Sequence, residues 1–447
     1  MLIISVCFNN RYFMTLSNKN YRTPFWYNAA LACLKPIYQW KIRKKSGHLD
    51  DYNDEIIERF GPFQPPKNQR VIWFHAVSVG ETNAAQPLIS HYLALGQKVL
   101  VTNTTRTGQA RAKSLFLNQY PDLFQAVFLP VDQVETVDQF IQLYQPKIVL
   151  LMETELWPNL LARIAKHQIP QLLLNAHLSE KSAKGYAKVP SLTKPMLNHL
   201  SWIATQDEAS KQRFAQLGKN NGQMSTLGNV KFDIQVPQKF LDQATQLQQD
   251  WGLANRKIMV IASTHDPEEK DILEQLKTHL DADKSLLCIV IPRHPERFNE
   301  VAKHIENLGL SYQRCSLGQT IQADTQVYLA DTMGELWLWC ALSQVVYVGG
   351  SLNEPGGGHN ILEPIALNKP TLLGKNYFNF QTIVDEFLAQ KGVVVVESAS
   401  EAVVSMLHLI GQPEQALEQD QRAQRVMEYN QGSVARHIAL IDRYLAL

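Results

Sequence analysis

The sequence predicts an α/β protein of two tandem doubly wound, parallel-sheet domains, preceded by an N-terminal segment suited to a membrane surface. Three observations carry this prediction. Short apolar runs recur every 20 to 30 residues, the spacing of βα units in a parallel sheet. Within each run the residues are continuously apolar rather than alternating, as in strands buried on both faces. The runs form two series, separated by a polar, glutamine-rich stretch at 235–249 that reads as linker or surface helix. The chain is long enough for this, with 447 residues against roughly 150 per domain. Its composition, 45% apolar and 19% charged, excludes a disordered chain or a disulfide-stapled miniprotein. Lys and Arg number 43 against 42 Asp and Glu, a net charge of +1, so no global basic field recruits nucleic acid. Cys7, Cys33, Cys288, Cys315 and Cys340 are scattered without CxxC spacing, so zinc and a disulfide framework are both unexpected and reduced thiols are the default.

Segment 1–62 is read as membrane-associating. Residues 1–20 are too polar for a signal peptide, and coherent patterning begins only after Met14, an alternative start. Residues 24–42 place Phe25, Trp26, Tyr27, Tyr38 and Trp40 before the cluster Arg43-Lys44-Lys45. That order suits a helix lying in a membrane interface, where each basic residue attracts anionic lipid by about 1 kcal/mol. A helix packed on a domain surface is the plainer alternative. No run reaches the 18 or so apolar residues of a spanning helix. The first domain, 63–234, carries apolar runs at 71–74, 99–102, 126–129, 148–152, 171–174 and 202–205. A second domain, 235–447, carries them at 258–262, 286–291, 327–329, 345–348, 371–373 and 393–396, and ends in helices. In such an architecture the ligand is expected beyond the carboxyl ends of the strands, between the two domains.

Candidate chemistry follows the strands. In the first domain, WFHAVSVGE (73–81) runs a buried strand into a small-residue loop ending at Glu81. A carboxylate there, beside Gly80, is placed to act as a general base; an acid at a helix start also simply complements the dipole. Met152-Glu153-Thr154-Glu155 repeats the pattern before Pro158 at a helix start. Paired acids can also hold Mg²⁺, but no DxD-like run is present, so neither metal nor cofactor is expected. In the second domain, loops after strands carry Arg293-His294, Gly334-Glu335 and the run GGSLNEPGGGHNILEP (349–364). The glycines at 356–358 admit a ligand to the backbone, His359-Asn360 opens a helical pattern whose free amides suit phosphate, and Glu363 can accept from ribose hydroxyls. A glycine-rich turn with a helix cap is the plainer alternative. Neither GxGxxG nor GxxxxGK[ST] is present, which weakens the NAD and P-loop readings.

Ten strings resemble, in order, the 3-deoxy-D-manno-octulosonic acid (Kdo) transferases of lipid A assembly. They are HAVSVGE (75–81), TNTTRTGQ (102–109), METELWPNLL (152–161), LNAHLSEKSAKGY (174–186), TQDEASKQRF (205–214), GNVKFD (228–233), ASTHDPEE (262–269), IPRHPERF (291–298), ADTMGEL (330–336) and GGHNILEPIALNKPTLLGKNYFNF (357–380). Residues 1–13 have no counterpart, the loop 353–356 is richer in acid and glycine, and His177 stands where arginine is usual. The resemblance implies the two-domain glycosyltransferase fold called GT-B and attachment at the cytoplasmic side of the inner membrane. It further implies transfer of Kdo from CMP-Kdo to a tetraacyl lipid A precursor with inversion, in lipopolysaccharide core biosynthesis, with no metal. Carried over by motif, Glu81 is the base, and Glu153 and Lys231 stabilise the transition state. The CMP-binding segments become Arg293 and His294; Gly334, Glu335 and Leu336; and Asn360, Ile361, Leu362 and Glu363. Three other functions stay open on the residues alone: a GT-B enzyme using a nucleoside-diphosphate sugar, a non-catalytic sugar-lipid binder, and, most remotely, a dehydrogenase.

Overall fold

The structure is a computed structural model that describes residues 21–46 and 48–446; the alternative start at Met14 lies outside the described residues. The first sheet is built from β1 (Ile72–His75), β2 (Val99–Asn103), β3 (Phe124–Phe128), β4 (Ile148–Met152), β5 (Gln171–Ala176), β6 (Trp202–Thr205) and β7 (Met224–Thr226). Its order is β3-β2-β1-β4-β5-β6-β7, with every neighbouring pair parallel. The continuous apolar character of the runs has a direct cause. Ile72 and Phe74 pack on one face with Leu88 and Ile89, while Val71 and Trp73 pack on the other with Phe140 and Ile141. Each such side chain contributes about 1.5–3 kcal/mol by leaving water, so both faces of the strand must be apolar.

The second sheet contains β8 (Lys257–Thr264), β9 (Leu286–Pro292), β10 (Tyr312–Arg314), β11 (Val327–Leu329), β12 (Val345–Val348), β13 (Thr371–Gly374) and β14 (Val394–Val396). Its order is β10-β11-β9-β8-β12-β13-β14, again parallel throughout. The expected strands are present in both series. Two were not anticipated: β7 (Met-Ser-Thr) and β10 (Tyr-Gln-Arg). Both are three-residue edge strands whose side chains are mostly only half-buried, which leaves room for polar residues in place of an apolar run. The polar stretch at 235–249 is a helix, Gln238–Asp250.

The chain divides into two compact units. One comprises the chain up to Lys231 together with Gly432–Leu447; the other is Phe232–Gln431. This corrects the expected domain limits in two ways. The crossing falls three residues before 234/235, and the last helix, Ser433–Leu445, belongs to the first unit rather than the second. The physical reason is its apolar face: Leu440 and Ile441 join the core over Leu88 and Tyr92, and Tyr92 Oη donates to Asp442 at 2.8 Å.

The N-terminal segment contributes two helices to the first unit, α1 (Phe25–Lys45) and α2 (Leu49–Phe60). α1 is tied down at its start: Tyr27 Oη donates to Asp132 at 2.7 Å, and Asn159 Nδ2 donates to Asn28 Oδ1 at 2.8 Å. Asp132 is buried and also receives the backbone N–H groups of Asn159 and Leu160. Phe25, Trp26, Leu34 and Trp40 remain exposed, Phe25 at 86%. Among the described residues, no helix is long and apolar enough to cross a membrane.

Candidate functional site

In each sheet the strand order reverses direction beside the first strand of the unit. The gaps are between β1 and β4 in the first sheet and between β8 and β12 in the second. Such switch points open a crevice beyond the carboxyl ends of the strands, where ligands of open α/β sheets bind. The candidate residues cluster at these two places.

In the first unit, β1 runs into a turn and then α3 (Val79–Ala94), capped by Ser78, whose side chain accepts from the Glu81 N–H. Glu81 reaches back to accept from the Val77 N–H at 2.8 Å, a reciprocal arrangement close to a capping box. Across the gap, β4 ends in Glu153, which adopts a left-handed backbone with φ of 56° while its N–H continues the ladder to Leu174. For a residue with a side chain this conformation costs on the order of 1–3 kcal/mol. Its carboxylate meets Lys231 Nζ at 2.7 Å. Lys231 is presented by the short turn Val230–Phe232, whose first N–H is held by the buried Asn175 side chain at 3.0 Å. The Asn175 N–H in turn donates to His437 on the last helix at 3.2 Å.

These groups act on one another. Burial, followed by the negative charges of Glu153 and Glu155, lifts the Glu81 carboxyl to about 8, against the opposing Val77 N–H and Lys231 ammonium. Glu155 accepts from the Trp157 indole N–H at 3.0 Å and lies 3.7 Å from His75 Nε2. His75 itself is fully buried at the end of β1, with Nδ1 3.0 Å from both oxygens of Thr102. The structure therefore brings Glu81, Glu153 and Lys231 together, with Glu155 as a fourth member.

Beside this cluster an apolar cavity of about 310 Å³ lies between α1 and the sheet, lined by Leu31, Leu34, Ile37, Tyr38, Phe60 and Trp157 among others. Lys35 and Lys41 also line it. It adjoins the acids through two of its walls. Trp157 donates to Glu155, and the Thr104 N–H donates to the same Val77 residue whose N–H holds Glu81.

In the second unit, Arg293 and His294 follow β9, the Arg293 N–H joining Thr264 at the end of β8. His294 meets His265 edge-on, with ring centroids 4.8 Å apart, and His265 meets His359 edge to edge through their Nε2 atoms, 2.8 Å apart. Gly334 and Glu335 lie in the loop after β11, farther along the same sheet edge, where Glu335 accepts from Thr332, and Leu336 opens the helix Leu336–Leu342. Asn360 caps the short helix Leu362–Ala366: its Oδ1 accepts the Leu362 N–H at 3.1 Å and its Nδ2 donates to Glu363 at 3.2 Å. At least one amide expected to be free for phosphate is thus taken by the cap. Burial raises the Glu363 carboxyl. Sequence reasoning missed His75 and His265 as site residues and gave His359 only a place at the opening of a helical pattern. The available signal was a histidine at or just beyond a strand's carboxyl end in HAVSVGE and ASTHDPEE. Among the described residues, no group of three or more His, Cys, Asp or Glu is placed to hold a metal ion.

The family profile described as 3-Deoxy-D-manno-octulosonic-acid transferase (kdotransferase) matches residues 54–234. A 3-deoxy-D-manno-octulosonic acid transferase of Haemophilus influenzae is 34% identical over 429 residues, covering 94% of this chain and 98% of its own. The chain belongs to the Kdo transferase family. As a Kdo transferase it is an enzyme of the glycosyltransferase class. The crystal structure of the C-terminal CMP-Kdo binding domain of WaaA from Acinetobacter baumannii is 55% identical, covering 43% of this chain and 99% of that one at a TM-score of 0.43. The UDP-GlcNAc 2-epimerase of Neisseria meningitidis, bound to UDP-GlcNAc, is 16% identical with a TM-score of 0.54, covering 83% of this chain and 99% of that one. It shares with this Kdo transferase the fold of two parallel sheets in the GT-B arrangement.

Proposed function

We propose that the chain transfers Kdo from CMP-Kdo to the tetraacyl lipid A precursor, with inversion at the anomeric carbon, in lipopolysaccharide core biosynthesis. The observation that carries this reading is the raised Glu81 carboxyl beside the Glu153–Lys231 ion pair, in a chain of this family. An alcohol is a poor nucleophile at neutral pH, and a base titrating near 8 is matched to removing its proton. Glu81 takes the proton of the acceptor hydroxyl as its oxygen bonds to the anomeric carbon. The bond from that carbon to the phosphate oxygen breaks, and CMP departs with the electron pair as a phosphate monoester. Attack on the face opposite the leaving group inverts the centre without a covalent enzyme intermediate, as in other inverting sugar transfers. Lys231, held by Glu153, supplies positive charge to the charge that develops, and Arg293 with His294 receives the phosphate. Leu336 and Gly334 line the nucleotide, and Glu363 with Asn360 takes the ribose hydroxyls. These groups suffice for a monophosphate leaving group, and no metal step is required.

The apolar cavity under α1, which adjoins the acids, suits part of one acyl tail of the acceptor, and the lysines that line it suit the acceptor's phosphates. The exposed aromatics of α1 and Arg43-Lys44-Lys45 support peripheral attachment to an anionic bilayer, the inner membrane's cytoplasmic face. Mass spectrometry of products from CMP-Kdo and the tetraacyl acceptor tests the proposal, with and without EDTA. Kdo-bearing lipid in both arms is the expected result. No product with CMP-Kdo sinks the donor assignment, and loss under EDTA restored by Mg²⁺ sinks the metal-free route.

A further inference from the structure

At the switch point of the second sheet, two histidines that the proposed reaction leaves without a role face each other. His265 directly follows β8, and His359 leaves the glycine-rich turn at 356–358. Their rings lie nearly coplanar and edge to edge, at 18° with centroids 5.0 Å apart and Nε2 atoms 2.8 Å apart. One Nε2–H therefore donates to the other ring, and the pair shares a single proton at that contact.

The backbone beneath is built to allow this. A Cβ on Gly350 would lie 2.7 Å from His359 Cδ2 and 3.3 Å from His265 Cδ2, so only glycine leaves room for both rings. Gly350 also has a φ of +67°, which disfavours any side chain. Below it, the buried Glu268 carboxylate collects the N–H groups of His265, Gly350, Ser351 and Leu352 and the Tyr347 hydroxyl, all within 3.0 Å. Glu269, the other acid close by, is engaged by Arg297 and Thr264. Both acids are thus consumed by the protein itself, and the groups left facing the pair are His294 and Arg293. Burial, then His265, Arg293 and His294, hold His359 down to about 4, and burial and then His294 lower His265 against the opposing charges of Glu268 and Glu269. The pair is partly exposed and faces Arg293, and the two acids close to it are already taken up by other donors.

A donor that joins an acidic sugar to a nucleoside monophosphate carries two anions, a phosphate and a sugar carboxylate. With Arg293 and His294 assigned to the phosphate, a second anion site is needed near it. We propose that the His265–His359 pair receives the carboxylate of the donor sugar, and so selects a 2-keto acid sugar over neutral ones. This rests on the reading of CMP-Kdo as donor. On binding, the shared Nε2–H turns from ring to carboxylate oxygen, so neither imidazole has to be protonated first.

The test compares CMP-Kdo with its C1 carboxamide, which keeps shape but loses charge, in the full chain and in His359→Phe and His265→Gln. His359→Phe keeps a planar aromatic ring at the site and removes the hydrogen bond. Each variant is expected to lose about ten- to hundredfold in kcat/KM on CMP-Kdo, the scale of a hydrogen bond to a charged group, largely as a rise in KM. On the carboxamide the loss should be less than threefold, and calorimetric affinity for CMP alone should stay within threefold. Equal losses on acid and amide, or CMP affinity falling in parallel, would overturn the proposal and make the pair structural or phosphate-binding. No turnover of CMP-Kdo by the unsubstituted chain would instead overturn the donor reading and this proposal with it.

Discussion

Replacing Glu81 with glutamine should make the protein slower and, in alkaline solution, more stable. Glu81 is held near 8 in the folded chain against an ordinary 4.5, chiefly by burial and then by Glu153 and Glu155. Below about pH 4.5 the carboxyl is protonated whether the chain is folded or not, and costs nothing. Between there and about 8 the unfolded chain ionises it while the folded chain keeps the proton. The unfolded state then binds fewer protons, so stability falls as pH rises, by about 1.36 kcal/mol per unit, and levels off above about 8. The full shift corresponds to a loss on the order of 5 kcal/mol. Glutamine still accepts from the Val77 N–H but has no proton to lose, so the slope should vanish in Glu81→Gln. Activity moves the other way. Losing a general base costs about 10²–10⁴ in rate, or about 2.7–5.4 kcal/mol at 1.36 per decade. In the unsubstituted enzyme kcat/KM should climb with pH toward a plateau near 8. Urea unfolding of both proteins between about pH 5 and pH 9, alongside turnover at each pH, measures both effects. Parallel stability curves would refute the raised carboxyl, and near-normal turnover would remove Glu81 as base.

Lys231→Met should cut turnover by about 10²-fold, the scale of one preorganised charge contact, and push the rising limb of the rate profile above 8, because the ammonium now lowers Glu81; an unmoved limb would count against their coupling. Arg293→Ala should weaken CMP binding by about 1.5–3 kcal/mol with little change in melting temperature, since Arg293 is exposed; unchanged affinity by calorimetry would mean that it does not touch the phosphate. Replacing both Trp26 and Trp40 by alanine should weaken sedimentation with anionic vesicles while leaving urea unfolding unchanged, because both rings are at least half exposed. Equal sedimentation would place the membrane contact elsewhere.

Much of this fold can be read from pattern. Central strands such as Ile148–Met152 must be apolar on both faces, so they stand out as unbroken runs, and Glu81 is visible as an acid just beyond one of them. A short strand with half-buried side chains can escape that signal, as Tyr312–Arg314 shows: it needs no apolar run. Long-range pairings escape it too. Lys231 lies 78 residues from Glu153, and His359 lies 94 residues from His265. Nothing local in either string announces its partner, because sheet topology creates the meeting. Burial is likewise a property of the assembled unit, so the raised Glu81 carboxyl could be placed as a base but not given its titration range.

The return of the last helix to the first unit bears on how the protein is made. During synthesis the first sheet emerges early, yet His437, Leu440 and Ile441 emerge only after the whole of the second unit. Until then the core beside Tyr92 lacks its cover, and Asn175, which holds the turn presenting Lys231, lacks its histidine acceptor. The second unit, by contrast, is one uninterrupted stretch, Phe232–Gln431, and can complete itself while the first still waits. A nascent chain that has emerged only as far as Gln431 should therefore own a finished second unit and a first unit whose core still lacks its last helix.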